Sequence, residues 1–189
     1  MSALREAFLT VPEAAFLARV SPRVVQHEID ERIVASRMSG GRRIISGVDL
    51  LYLSAVRRVH DQMAPRLRRQ VRNAIFHSAT QNVEIASIDL FEVSLAALEN
   101  DVLGNFETLE RIKRDFIESR PEVLAGEPVL RGTRLSVRLI ADLVRQGAGV
   151  DELAEDYDVT PEQVEAAITF DRVTPTRGRP RRPVPRSSA

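Results

Sequence analysis

Apolar positions recur at helical spacing along most of this chain, and turn residues separate the runs. Val11, Ala14, Ala15, Leu17 and Ala18 form the first apolar stripe. Thr10-Val11-Pro12-Glu13 opens it, with a hydroxyl three residues ahead of an acid, the spacing of a capping box. Arg19-Val20 is a short connection, and Ser21-Pro22 starts a second helix with Ser as N-cap and Pro at the first position. Val25 and Ile29, one turn apart, face inward, leaving Arg23, Gln26, His27 and Asp30 outward. Ile33-Val34-Ala35 leads to Arg37–Ile45, read as a hairpin around Gly40-Gly41. Ser46 caps a third helix, Val48 to about His60, with Leu51, Tyr52, Ala55, Val56 and Val59 on its apolar side. Helix, short turn, helix, β-hairpin, helix is the order of a winged helix-turn-helix.

Beyond the head, Pro65 opens a helix with Leu67, Val71 and Ile75 inward and Arg66, Arg68, Arg69 and Arg72 on a solvated face. Asn82–Phe91 alternates weakly and reads as a strand. Val93–Ile117 reads as helix, with Leu95, Leu98, Val102, Phe106, Leu109 and Ile112 on one side and Gly104 as a candidate break. In the stretch 121–135, Gly126 and Gly132 suit turns with positive φ, and Pro128-Val129-Leu130 suits an edge strand. Ser136 caps a helix carrying Val137, Ile140, Ala141 and Val144, and Gly147 stops it. Val150–Tyr157 is a short helix. Thr160-Pro161-Glu162-Gln163 caps a last one, completed by Val164, Ala167, Ile168 and Phe170. Ser136–Phe170 is thus a second helix-turn-helix shape. The predicted fold is mainly α: a winged helix-turn-helix over 1–64, a helical connector over 65–120, a small domain with short β-strands and the second helix-turn-helix over 121–170, and a tail over 171–189. The tail has four prolines and little to bury, so it is expected to be disordered when free.

Charge changes this picture most. Residues 1–72 carry 13 Arg and 7 acids, residues 73–170 carry 8 basic residues and 19 acids, and residues 171–189 carry 6 Arg and one Asp. The formal net charge of +0 therefore hides a basic head (+6), an acidic middle (−11) and a basic tail (+5). Net charge speaks to partners rather than to fold. The second helix of the head, capped and polar on its outer face, is of a size to enter a major groove. Arg23, Gln26 and His27 on that helix, with Arg42 and Arg43 at the hairpin, are the candidate DNA contacts. The second helix-turn-helix carries Asp142, Asp151, Glu152, Glu155, Asp156, Asp158, Glu162 and Glu165, which would repel phosphates. It reads instead as a packing or homodimerisation unit, with Leu139, Ile140, Leu143 and Val144 as its surplus apolar surface.

With no Cys, disulfides and thiolate chemistry are excluded. His27, His60 and His77 fall in no metal-ligand spacing, so no catalytic residue, metal or cofactor is assigned and an enzyme is not expected. No apolar run spans a membrane and the first residues lack a signal-peptide core, which leads to the expectation of a soluble cytoplasmic protein.

The opening Thr-Val-x-Glu-Ala-Ala resembles the first helix of the DNA-binding heads of the MerR and excisionase group. Gly126-Glu127-Pro128-Val129-Leu130-Arg131-Gly132-Thr133-Arg134 resembles the Gly-x-Pro-Val-x-x-Gly-Thr-Arg signature of a small bacterial domain common in antitoxins. Winged head, Gly-Thr-Arg domain and basic tail together resemble a VapB-type antitoxin. That resemblance implies autorepression at operator DNA and neutralisation of a PIN-domain ribonuclease toxin. The head departs from the pattern, since most VapB heads are ribbon-helix-helix or strand-swapped types. A guanidinium suits a PIN toxin's carboxylate metal site because it is always charged and can bond one carboxylate twice. Arg177, Arg179, Arg181, Arg182, Val184 and Arg186 are the residues expected to bind the toxin. A free-standing MerR-like regulator without a toxin partner is the competing expectation.

Overall fold

In the computed structural model, residues 3–88 and 91–174 are described; the expected toxin contacts from Arg177 to Arg186 lie outside them. The chain is mainly helical, with small sheets of short strands. The head begins with a short helix α1 (Ala3–Glu6), a strand β1 (Phe8–Thr10), and helices α2 (Val11–Ala18) and α3 (Pro22–Asp30). Strands β2 (Arg37–Ser39) and β3 (Arg42–Ser46) make the wing, and α4 (Gly47–Val56) comes next. The caps read from sequence are in place. The Glu13 carboxylate accepts the Thr10 N–H at 2.7 Å and its hydroxyl at 2.8 Å. Ser21 Oγ accepts from the Val24 N–H at 3.4 Å, and Ser46 Oγ from the Asp49 N–H at 3.2 Å. Gly40 and Gly41 both take positive φ, the conformation a two-residue hairpin turn needs.

The sequence pattern missed β1, which pairs antiparallel with β3 and makes the wing a three-stranded sheet in the order β1-β3-β2. At three residues it shows too little alternation to stand out. Gly47 is fixed by a close approach, since a Cβ there would lie 1.7 Å from the Leu4 carbonyl oxygen, so α1 sits directly on the start of α4.

Helix α5 (Pro65–Thr80) is followed by an antiparallel hairpin, β4 (Ile85–Ile88) and β5 (Phe91–Ser94), in place of the strand expected over Asn82–Phe91. Helix α6 (Leu95–Arg111) then runs through Gly104 without a break. A π turn, Ile112–Phe116, ends it.

Buried side chains fall into two clusters, and the boundary lies inside this long helical stretch. The first holds the head together with Val71, Ile75 and Ala79 of α5, Ala86 and Ile88 of β4, and Leu95, Val102 and Leu109 of α6. Most of the stretch expected to connect two domains, residues 65–111, is therefore packed into the head's own core, and its last residues belong to the second. The second cluster starts at Ile112 and takes in β6 (Ile117–Glu118), β7 (Val129–Leu130), α7 (Val137–Arg145), α8 (Val150–Asp156) and α9 (Pro161–Val173). Ion pairs tie α6 and its π turn to the head: Arg5 with Glu99, Arg57 with Asp101, and Lys113 with Glu13 at 2.7 Å. No helix among the described residues is long and apolar enough to cross a membrane.

Candidate nucleic-acid interface

Helix α3 presents one face to solvent and anchors the other through charge. Arg23 and His27 are exposed and Gln26 is half-buried, while Val25 and Ile29 are in the core. The inward stripe also contains Glu28, fully buried. Its carboxylate accepts the Tyr52 hydroxyl at 2.5 Å, lies 2.7 Å from His60 Nε2, and is paired with Arg68. Four elements thus converge on one carboxylate: α3, α4, α5 and the 3-10 turn His60–Gln62. The Tyr52 hydroxyl is pushed well above the ordinary tyrosine range by its burial and by the charge of Asp49, so it stays a proton donor.

Arg68 corrects the sequence reading. Periodicity assigns it to a solvated face, but it is buried against Glu28, and Arg72 bonds the buried Asp49 at 2.9 Å through Nε. A signal was present. Glu28 sits between Val25 and Ile29 on the apolar stripe, and Arg68 stands one turn before Val71. Two opposite charges on facing apolar stripes mark a buried pair, because an unpaired buried charge is prohibitively costly.

On the outer side, α3 and the wing frame one cleft of about 540 Å³, lined by Thr10–Pro12, Gln26, Gly40–Arg43, Val173 and Thr174. Three of the expected DNA contacts, Gln26, Arg42 and Arg43, line it together. Asp30 links the two walls: its Oδ1 accepts from Gln26 Nε2 at 2.8 Å and lies 3.7 Å from Arg43 Nη1. Arg23 is exposed but does not line the cleft. His27 lies 3.8 Å from Glu31 and stacks edge-on against His60, with ring centroids 6.1 Å apart. Asp30 is not among the expected contacts. Its side chain is exposed.

The second helix-turn-helix differs. Asp151, Glu152, Glu155, Asp156, Glu162 and Glu165 are all exposed on α8 and α9. Of its expected surplus apolar surface, Leu139 is exposed, Leu143 and Val144 are half-buried, and Ile140 is fully buried in its own core. The Gly-Thr-Arg stretch is a turn held by its neighbours. Thr133 Oγ1 donates to the Leu130 carbonyl at 2.8 Å, Arg131 Nη2 donates to the Ile117 carbonyl at 3.0 Å, and the Gly132 N–H donates to Glu118 at 3.0 Å. The amide that an anion would use already holds a carboxylate. Among the described residues no group of His, Asp and Glu is arranged to hold a metal ion.

Known proteins resemble the chain at several levels. It is 28% identical over 186 residues to an uncharacterized protein, y4eO, of Sinorhizobium fredii, covering 92% of this chain and 84% of that one. A crystal structure of Rv2018 from Mycobacterium tuberculosis is 18% identical, covers 85% of this chain and 96% of its own, and superposes with a TM-score of 0.35. Residues 117–170 match the model of a family described as protein of unknown function (DUF433). That span runs from β6 to the start of the last turn of α9, which is most of the unit built around the second core.

Proposed function

We propose that this protein is a DNA-binding antitoxin whose winged head docks on operator DNA and represses its own operon. The observation that carries the DNA part is the single cleft in which Gln26 of α3 meets Arg42 and Arg43 of the wing. A helix fixed from behind by Glu28 presents Arg23, Gln26 and His27 to a major groove, and the wing arginines reach the flanking phosphates. Support for the antitoxin part is the Gly-Thr-Arg turn within residues 117–170 and the basic segment after the last helix. The partner proposed for that segment is a PIN-domain ribonuclease, whose metal-binding carboxylates would take its arginines. An exposed Leu139 on α7, beside half-buried Leu143 and Val144, fits a homodimer, as a two-fold operator would require.

The DNA reading is tested by titrating the full chain into a duplex carrying the sequence upstream of its own gene, across a range of salt. Tight binding that weakens steeply with salt is expected, and exchange of Gln26 should alter base preference. Salt-insensitive or absent binding would remove it. Co-expression with the adjacent gene, followed by copurification, tests the antitoxin part. Failure of a neighbouring nuclease to copurify would favour the free-standing regulator.

A further inference from the structure

The chain reverses at the end of α3, and the reversal builds a second concave surface in the head. Arg32 follows the helix in the left-handed region, at φ 57°. That turn brings the Ile33 and Val34 N–H groups onto the Glu28 carbonyl, at 2.9 and 3.1 Å. Ile33 and Val34 are thereby buried in the same core as Ile29, and the chain runs on through Ser36 to β2 of the wing. Helix α5 lies against this turn, where Arg69 Nη2 donates to the Glu31 carbonyl at 3.3 Å. A cavity of about 450 Å³ opens here. Ile29, Ile33 and Val34 give it an apolar lining, and Arg32, Arg69 and Arg72 a charged one. It shares no lining residue with the cleft of Gln26, Arg42 and Arg43.

Three guanidiniums line this cavity and no acid does. Two acids close by in the fold are engaged elsewhere. Glu31 turns its carboxylate to His27 and Arg68, each at 3.8 Å, and Asp49 accepts from Arg72 Nε at 2.9 Å. Arg32 is exposed and pairs with no acid among the described residues. Burial first, and the charge of Arg69 second, hold the neighbouring Arg68 guanidinium below its ordinary range, so positive charge is concentrated on this side of α5. A solvated arginine face needs no apolar floor and no concavity, and this site has both. The cavity is also of the size that takes small molecules, roughly 300–1,000 Å³. An anion would relieve the charge, and an apolar body behind it would cover the floor. A bare phosphate or a duplex backbone would use the arginines alone.

We propose that the cavity between the end of α3 and α5 binds a small organic acid. Its carboxylate is held by Arg32 and Arg69, and its aromatic or branched apolar body covers Ile29, Ile33 and Val34. A guanidinium suits that carboxylate because it keeps its charge and can bond both oxygens at once. This site goes beyond the DNA reading of the head and does not depend on it.

The probe is 2-naphthoate, whose fluorescence is read cleanly because the chain has no Trp. Its neutral amide and inorganic phosphate are titrated alongside. Three proteins are compared: the full chain, an Arg32→Gln/Arg69→Gln chain and an Ala35→Phe chain. Ala35 is exposed and lines the cavity, so Phe there takes up space and leaves every charge in place. The full chain should bind naphthoate saturably and at least about tenfold more tightly than the amide, the size of one charge-assisted hydrogen bond. The arginine pair variant should lose at least about tenfold for naphthoate and keep its weak hold on the amide. Ala35→Phe should weaken both. Thermal unfolding of the pair variant should be unchanged, since Arg32 and Arg69 are exposed. Absent naphthoate binding, or equal binding by all three chains, would overturn the site. Phosphate bound as tightly as naphthoate would overturn the organic acid in favour of a bare anion. Loss of DNA affinity in the pair variant, with no naphthoate bound by the full chain, would overturn it and give both arginines to the duplex.

Discussion

The two helix-turn-helix units of this chain share an element order and differ in what holds them and what they show to solvent. In the first, α3 is fixed by buried charge: Glu28, Arg68 and His60 lie within the fold, with Asp49 buried nearby. In the second core, Ser136 is the buried polar side chain among the described residues, and packing does the rest. The outer surfaces are reversed as well. The first frames a cleft with two arginines, while the second is covered with exposed acids. On the proposed function, in which the first unit alone binds DNA, element order is a poor guide to DNA binding. A recognition helix also needs a fixed orientation and a surface potential that phosphates tolerate.

The largest effect should come from breaking the buried charge. Glu28→Ala strands Arg68 in the core, and removing one partner of such a pair costs about 3–5 kcal/mol. Urea unfolding of the full chain should show this loss, whereas Ser136→Ala in the second unit should cost about 1 kcal/mol as an ordinary cap deletion. Equal small effects at both sites would mean that the Glu28 cluster does not fix the head.

The second effect separates the surfaces. Changing Arg42 and Arg43 to Ala should weaken DNA binding on the order of tenfold and lower the salt slope by roughly two, for all sequences alike. Changing Glu152 and Glu155 to Gln should leave DNA affinity within about twofold, because the proposed reading keeps the acidic α8 off the duplex. Tighter binding in that second variant by more than this would mean that the acidic unit does approach the DNA.

Local signals explain which parts of this fold were legible. Capping boxes at Thr10 and Thr160, Pro at first helical positions and the Gly40-Gly41 turn act within a few residues, so the sequence exposes them directly. The strand β1 and the hairpin partner β5 are short, and their pairing is decided by distant segments. Arg68 was misread because helical periodicity places a residue on a face without saying what lies opposite. The division of the cores at Ile112 was hidden for the same reason: the helix continues in sequence while its packing partners change. Val173 was the least legible, since its place in the head's core depends on how the two cores meet.

A smaller effect concerns assembly. If α7 carries the homodimer contact, Leu139→Glu should convert a dimer of the full chain into a monomer by light scattering. Leu139 is 43% exposed, so unfolding stability should move by less than about 0.5 kcal/mol apart from the loss of association. A persistent dimer would transfer the contact to another exposed apolar residue, such as Phe8 or Met38 in the wing sheet.

The smallest effect lies where α4 of the head meets α6. Asp101 accepts the Ser54 hydroxyl at 2.8 Å and is bonded by Arg57 Nη1 at 2.5 Å and Nη2 at 3.2 Å. The Ser54 bond, with the Arg57 guanidinium helping, holds the Asp101 carboxyl below its ordinary range. The folded state therefore binds fewer protons here than the unfolded chain as the carboxyl titrates. Stabilisation from Asp101 is complete above about pH 4, the unfolded value, and is lost as pH falls through the lower folded value. Asp101→Asn should cost less than about 1 kcal/mol at neutral pH, because the pair is near solvent. The difference between variant and native chain should shrink toward zero below about pH 4. If it stays constant down to about pH 3 in urea titrations, the loss is one of packing, and the charge on Asp101 does not join the connector helix to the head.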